Sequence, residues 1–307
     1  IPGYLREVVA RHGDAEAVVL NCGGREVRWS YNELMAQSMS VAKSLVACGI
    51  GRGARVGILM TNRPEYLAAL FGTAMAGGVS VALSTFSTEP ELEHLLSASA
   101  VSVVLFENKV VKKDFAAMLL ALDPAIGTAG AGEVQSEKFP YLKHLARLES
   151  LTPVDGDTDI GELPAMEAWE AFIARGEAVP SRIVDARADR VCPTDPGGLF
   201  FSSGTTSLPK GILHAQRAFA IQWWRWPRVF CIREPARCWT GNGFFWSGNI
   251  TMVVGCALST GGAAILQPLF DADDALRLIE AERVTMVNGR PHQWARLQAS
   301  PKWNDVD

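Results

Sequence analysis

The chain has 307 residues, 48% of them hydrophobic, and a formal net charge of −4. That length can fill two ordinary lobes around a sizeable core, and an acidic balance with scattered basic residues argues against a nucleic-acid partner. The six cysteines form no C-x-x-C pair and no histidine stands at metal-site spacing, so a disulfide framework and structural zinc are both disfavoured and reduced thiols in a cytoplasm are expected.

The sequence opens on Ile1 rather than methionine, which leaves room for a preceding segment. Residues 31–48 have helical periodicity, and Gly49-Ile50-Gly51-Arg52-Gly53-Ala54 follows. Formally this is a dinucleotide-type G-x-G-x-x-A run, but it follows a helix and precedes a strand at 56–60. That order is the reverse of the one that sets a helix N-terminus on a pyrophosphate, so a helix C-cap explains the glycines. Next come a helix over 66–76, a break at Gly77-Gly78, a strand over 79–83, an amphipathic stretch over 91–97 and a strand over 101–106. The apolar stretches 67–83 and 250–266 approach membrane-span length, yet a Gly-Gly pair interrupts each. Both read as helix then strand, with no transmembrane segment.

Residues 123–193 are dense in Gly, Pro, Asp and Glu, with amphipathic pieces at 141–148 and 164–175, and read as a partly helical connecting segment. Its Asp155-Gly156-Asp157-Thr158-Asp159 run hints at a calcium loop. Ile160 and Met166 occupy the positions where an EF-hand needs glycine and glutamate, so a solvated acidic turn is the reading.

A short apolar strand over 198–201 leads into Ser202-Ser203-Gly204-Thr205-Thr206-Ser207-Leu208-Pro209-Lys210-Gly211, after which residues 212–224 read as a helix. A polyphosphate needs this chemistry: Gly204 lets the backbone approach an anion, hydroxyls and free N–H groups donate to its oxygens, and Lys210 adds a point charge. A Walker-type loop is excluded, because Pro209 precedes the lysine and Gly211 follows it. The segment instead resembles the phosphate-loop signature of adenylate-forming enzymes, the superfamily of acyl-CoA synthetases, luciferases and peptide-synthetase adenylation domains. Ser207 stands where that family most often has glycine.

Beyond the motif, Trp223, Trp224 and Trp226 with Arg225 and Arg228 read mainly as buried tryptophans with arginines at the rim. His214 reads as structural. The order of the first half then returns: helix-like 249–258, a break at Gly261-Gly262, strand 263–267, amphipathic 273–282, strand 284–287. The offset from Gly77 to Gly261 is 184 residues, and extended backwards it pairs strand 55–60 with 239–244. Helices alternating with short β-branched strands make an α/β fold of two similar doubly wound, mostly parallel sheet lobes. The first lobe is expected over 1–122 and an incomplete second, carrying the phosphate loop, over 194–307. Ligands gather at the carboxyl ends of such strands, where Gly243-Phe244-Phe245-Trp246-Ser247-Gly248-Asn249 also lies; core packing is the lesser alternative for Phe244 and a weaker one for Trp246, and Arg290-Pro291-His292 can approach the same cleft but reads mainly as a structural turn.

The resemblance carries further implications. Such enzymes use ATP and Mg2+ to turn a carboxylic acid into an acyl-adenylate and pass the acyl group to coenzyme A. It implies that Ser203, Thr205, Thr206 and Lys210 hold the β- and γ-phosphates, while Ser202 and Gly204 shape the loop and Ser207 completes the phosphate-binding set. Phe245, Trp246, Gly248 and Asn249 would border an acyl pocket suited to a small, branched or cyclic acid. The family's Y-G-x-T-E motif, ribose-binding aspartate, hinge and catalytic lysine match nothing up to Asp307, so no catalytic residue and no metal ligand is assigned. The resemblance therefore predicts an N-terminal portion that does not complete adenylation alone. Loading of an acyl carrier protein, and a non-catalytic nucleotide-binding scaffold, stay open as alternatives, as does a homodimer.

Overall fold

The computed structural model describes residues 1–151, 163–202 and 208–306. In chain order the elements are α1 (Pro2–His12), β1 (Glu16–Cys22), β2 (Arg25–Ser30), α2 (Tyr31–Ala47), β3 (Arg55–Leu59), α3 (Pro64–Met75), β4 (Val79–Ala82), α4 (Glu89–Ser99) and β5 (Val103–Glu107). A small hairpin, β6 (Lys109–Val110) and β7 (Lys113–Asp114), leads to α5 (Phe115–Leu122), α6 (Ala125–Thr128), β8 (His144–Leu148), β9 (Met166–Ala168), α7 (Trp169–Arg175) and α8 (Ser181–Ala188). Then follow β10 (Pro196–Ser202), β11 (Lys210–Ala215), α9 (Gln216–Val229), β12 (Arg237–Thr240), a π-helix (Asn249–Val254) running into α10 (Gly255–Thr260), β13 (Ala263–Leu266), α11 (Ala272–Ala281), β14 (Met286–Asn288) and α12 (Pro291–Ala299).

Local chemistry explains many boundaries. Ser30 and Glu33 form a capping box that starts α2, and Thr88 with Glu91 does the same for α4. Every residue of α3 is buried, as a mostly apolar helix between layers must be, and its one charged residue, Glu65, is ion-paired. Gly77 and Gly261 both adopt positive φ, +87° and +70°, ending the two equivalent helices in the left-handed conformation that glycine takes without cost.

Two sheets result. One runs β11-β10-β4-β3-β5-β8-β9 and the other β14-β12-β13-β1-β2, parallel throughout except at the hairpins β1–β2 and β10–β11. The order β5-β3-β4-β10-β11 in the first is matched by β14-β12-β13-β1-β2 in the second, so the repeat is real in space. Each sheet takes its closing hairpin from the other half of the chain: β1 pairs with β13, and β10 with β4. Residues 16–30 therefore belong to the second sheet and 196–215 to the first. A division at 122 and 193 leaves both sheets with strands from either side, and the hydroxyl-rich motif, expected on the second lobe, hangs on the first sheet. The fully buried strands β4 and β13 each need a partner on that side, and neither alternation nor spacing says which hairpin provides it.

Three further expectations are corrected. Residues 210–215 form β11, antiparallel to β10, with Ile212 opposite Phe200 and Leu213 opposite Leu199; the helix begins only at Gln216. The free edge of β10 captures this segment before helical periodicity can act. Residues 144–148, within an amphipathic piece, form β8 and pair in parallel with β5, so the segment 123–193 extends the first sheet through β8 and β9 rather than merely crossing the surface. Finally, Arg237 opens β12 where Arg55 opens β3, each paired with the first residue of the neighbouring strand. That offset is 182 (237 less 55), so the second loop is longer than the backward extension assumed.

Trp223 joins the halves. It is fully buried, donates Nε1–H to Ile250 O at 3.0 Å and packs on Tyr4, Phe71 and Phe219. Tyr31, equally buried, donates to Ala257 O at 2.9 Å and Gly262 O at 2.6 Å.

Candidate functional site

Because β3, β4 and β10 run parallel, their carboxyl ends share one edge, the edge where open α/β sheets bind ligands. Ser202 ends β10 and lies opposite Lys210, the first residue of β11. The motif thus bridges the mouth of a hairpin, with Lys210 exposed. Ser203, Gly204, Thr205, Thr206 and Ser207 lie outside the described residues, as does the acidic run 155–159. The motif's exit is tethered from α4, where His94 Nε2 lies 2.8 Å from Pro209 O.

Beside this hairpin, Phe201, Ser202 and Pro209 meet Ser84, Phe86, Ser87 and Glu91 around a cavity of about 200 Å³ whose far wall is Phe245 and Trp246. Across that wall lies a second cavity of about 390 Å³, also lined by Phe86, Phe245 and Trp246 but rimmed by Arg290, His292 and Arg296. No carboxylate lines the second cavity among the described residues. The partition is an aromatic chain from both sheets. Phe86, 65% exposed, meets Phe245 edge-on at 5.5 Å, and Phe245 meets Trp246 at 5.7 Å. The Arg290 guanidinium lies over the Trp246 ring at 4.4 Å and that of Arg296 over Phe270 at 5.0 Å, cation–π contacts that leave the charges open to an anion. A larger open cleft of about 650 Å³ between Ala125 and Lys143 holds none of the motif residues.

Of the residues predicted from sequence, Ser202, Phe245 and Trp246 come together around these cavities, whereas Gly248 and Asn249 line neither. Asn249 is buried and faces inward: it accepts from Thr240 Oγ1 at 3.1 Å and donates to Gly243 O at 2.8 Å, bracing the loop that carries the aromatics. Gly248 directly precedes the π-helix, a feature that recurs at functional sites. His214 sits against Phe200 and Phe219, as a structural residue should. Among the tryptophans the buried reading holds for Trp223, but Trp224 is 55% exposed beneath Arg228.

Sequence reasoning missed Phe86 and the polar residues behind the wall. Thr61 donates its N–H and hydroxyl to Glu107 Oε2 at 3.1 and 2.6 Å. Arg63, 2% exposed, pairs with Glu65 at 2.9 Å and Glu107 at 3.6 Å, and Arg25 reaches Glu65 at 2.6 Å. Burial pushes the Glu65 carboxyl up, but Arg63 and Arg25 together outweigh it and hold it below its ordinary value. Near the first cavity, Lys113 donates to Ser87 O at 2.6 Å; burial pulls its ammonium below the usual range against the opposing pull of Glu91. Among the described residues no cluster of His, Cys, Asp or Glu is arranged to hold a metal ion, and no helix is long and apolar enough to cross a membrane.

Comparison with known proteins places the chain. The family model described as "AMP-binding enzyme" matches residues 5–306. The indoleacetate–CoA ligase of Aromatoleum aromaticum is 28% identical over 306 residues, covering 99% of this chain and 52% of that protein. The acyl-CoA ligase SID4 of Ajellomyces capsulatus is 27% identical over 300 residues, covering 97% and 47%. Among solved structures, the anthranilate CoA ligase AuaEII bound to anthranoyl-AMP superposes with a TM-score of 0.80 at 20% identity, over 99% of this chain and 52% of that one. The N-terminal domain of FACL13 from Mycobacterium tuberculosis gives 0.77 at 23%, over 100% and 66%. The chain spans about half the length of the curated relatives it matches.

Proposed function

The chain belongs to the AMP-binding enzyme family, and from that premise we propose that its protein activates a carboxylic acid with ATP and transfers the acyl group to coenzyme A. The observation that carries the reading is the hydroxyl-, glycine- and lysine-rich segment at the carboxyl end of β10, next to a cavity closed by Phe245 and Trp246. The carboxylate oxygen attacks the α-phosphorus, the bond to pyrophosphate breaks, and the thiol then attacks the acyl carbon as AMP leaves. The first step brings two anions together, so its barrier falls chiefly through charge screening and orientation.

In this reading Lys210 with the hydroxyls of Ser203, Thr205 and Thr206 holds the β- and γ-phosphates of ATP, taken as its magnesium complex, and Ser202, Gly204 and Ser207 shape the loop. Glu91, the carboxylate lining the nearby cavity, is occupied in capping Thr88, so no metal ligand is named among the described residues. Phe245 and Trp246 border the acid; Gly248 and Asn249 act behind them by holding the loop. The basic rim of Arg290, His292 and Arg296 suits the phosphates of coenzyme A approaching through the second cavity. Ring-lined walls, together with relatives that ligate indoleacetate and anthranilate, favour a cyclic or aromatic acid.

The test is carboxylate-dependent ATP–pyrophosphate exchange by the complete gene product across short, branched, cyclic, aromatic and long-chain acids, followed by thioester formation with coenzyme A. Exchange with one class and acyl-CoA as product are expected. Silence across the panel overturns the reading in favour of a nucleotide-binding scaffold, and exchange without transfer to coenzyme A points to a carrier-protein acceptor.

A further inference from the structure

The loop over residues 241–248, which carries Phe245 and Trp246, contains no strand residue. Its own half ties it through Asn288 O, which accepts from Gly241 N–H at 3.3 Å, through Thr240 Oγ1, which accepts from Asn242 N–H at 3.1 Å, and through Gln293 Nε2 to Gly241 O at 2.6 Å, Asn249 Nδ2 to Gly243 O at 2.8 Å and Thr251 Oγ1 to Ser247 O at 2.9 Å. Further ties come from the first half of the chain. Asn62, 2% exposed, donates Nδ2–H to Asn242 O at 2.8 Å and accepts at Oδ1 from Phe244 N–H at 2.8 Å. Tyr66, fully buried, donates its hydroxyl to Phe244 O at 3.2 Å and packs its ring 5.3 Å from that of Phe244. Both backbone polar groups of Phe244 are thus gripped by side chains from the loop after β3 and from α3, and the next two residues are the wall.

We propose that Asn62, seconded by Tyr66, is a positioning residue that sets the Phe245–Trp246 wall from the first sheet and so governs acceptance of the acid and the thiol but not of ATP. The inference rests on the reading above for its ligands, though its geometry stands without it. Asn62 suits the task chemically because a carboxamide presents one donor and one acceptor side by side, matching the Asn242 carbonyl and the Phe244 N–H. An aspartate would set an acceptor against a carbonyl, and an alanine would leave both backbone groups unpaired. The residue is also rigidly based: its neighbours Thr61 and Arg63 are locked onto Glu107 and Glu65. Phe86, the opposing ring of the partition, stands on the loop after β4 of the same first sheet. The Asn62 grip therefore sets the gap between Phe86 and Phe245, which both cavities share, while the phosphate motif hangs on β10 and β11 and is held separately through His94.

The experiment compares Asn62→Ala, Asn62→Asp and Tyr66→Phe with wild type in the complete gene product, measuring KM for acid, coenzyme A and ATP. Loss of two hydrogen bonds predicts a rise of about tenfold in the KM for acid in Asn62→Ala, a smaller rise in Tyr66→Phe, and an ATP KM within about twofold of wild type. An unchanged acid KM, or an ATP KM that rises equally, overturns the proposal; if Asn62→Ala does not fold, Tyr66→Phe carries the test. A second readout needs no substrate. In the 307-residue chain labelled with 5-fluorotryptophan, the Trp246 fluorine resonance, identified by its loss in Trp246→Phe, should shift or broaden in Asn62→Ala and Tyr66→Phe while that of Trp169 stays put. An unmoved Trp246 line refutes the positioning role. A moved line in a protein inactive with every acid refutes the function and leaves the positioning role standing.

Discussion

Residues 60–63 and residues 241–248 occupy equivalent places, each following a central strand of one sheet and preceding the helix of the same repeat. The first loop is short, polar and buried. Its Thr61, Asn62 and Arg63 spend their hydrogen bonds on Glu107, Glu65 and the backbone of the other loop. The second is longer, rich in glycine and aromatics, and turns rings towards two cavities. The repeat presents the same ligand-facing edge twice, and side-chain chemistry divides the work: a loop saturated with internal charge pairs becomes an anchor, while one whose rings carry no charge becomes a wall.

The comparison breaks most easily at Arg63. Arg63→Ala takes from buried Glu107 its ion-pair partner and leaves Glu65 to Arg25 alone, and losing one member of a buried ion pair costs about 3–5 kcal/mol; urea unfolding measures it, and a loss below about 1 kcal/mol would deny the anchor role. Trp246→Ala should do the opposite, raising the acid KM of the complete gene product about tenfold or more with a smaller stability loss than Arg63→Ala. Equal effects on the acid and ATP KM values would show that the ring walls no acid.

Gly243→Ala sharpens the contrast. A Cβ there would run into the Phe245 ring, so the ring must turn aside, and the wall should change shape without the anchor noticing. The ratio of exchange rates between small and bulky acids should shift severalfold, an overpacking response localised to one ring. Thermal unfolding of the same variant should stay closer to wild type than that of Arg63→Ala.

The smallest effect belongs to pH. The folded-state pKa of Glu65 lies below its ordinary value of 4.5, so its contribution to stability is complete above that value and drains away as pH falls from there through the depressed folded value. Melting temperature against pH should therefore decline less steeply in acid for Glu65→Gln than for wild type. Parallel curves would mean that this carboxylate carries no differential charge.

Much of the fold was readable because it rests on short-range chemistry. Apolar runs over 79–83 and 263–267, each behind a glycine pair 184 residues from its counterpart, announce two buried parallel strands, and Gly77 and Gly261 do take the positive φ that ends each preceding helix. Of the candidate site, the aromatics at 245 and 246 were legible as a cluster after a strand. Asn249 was legible as a residue but not as a brace, since nothing in its neighbourhood says whether its amide points at a ligand or at Gly243 O. Phe86 and Asn62 carried no signal, because their roles exist only towards a segment more than 150 residues away.

The amino-acid sequence by itself determined the repeat, most of the helices and their caps, the central strands and the hydroxyl-, glycine- and lysine-rich make-up of residues 202–211, all set by backbone preference and by side chains within a few residues of one another. Tertiary structure alone decided which hairpin closes which sheet, that residues 210–215 pair as a strand before α9 begins, and that an asparagine of one sheet holds the aromatic wall of the other. Those outcomes depend on which unpaired edge or backbone group lies within reach once the chain has collapsed, and reach is a property of the packed molecule.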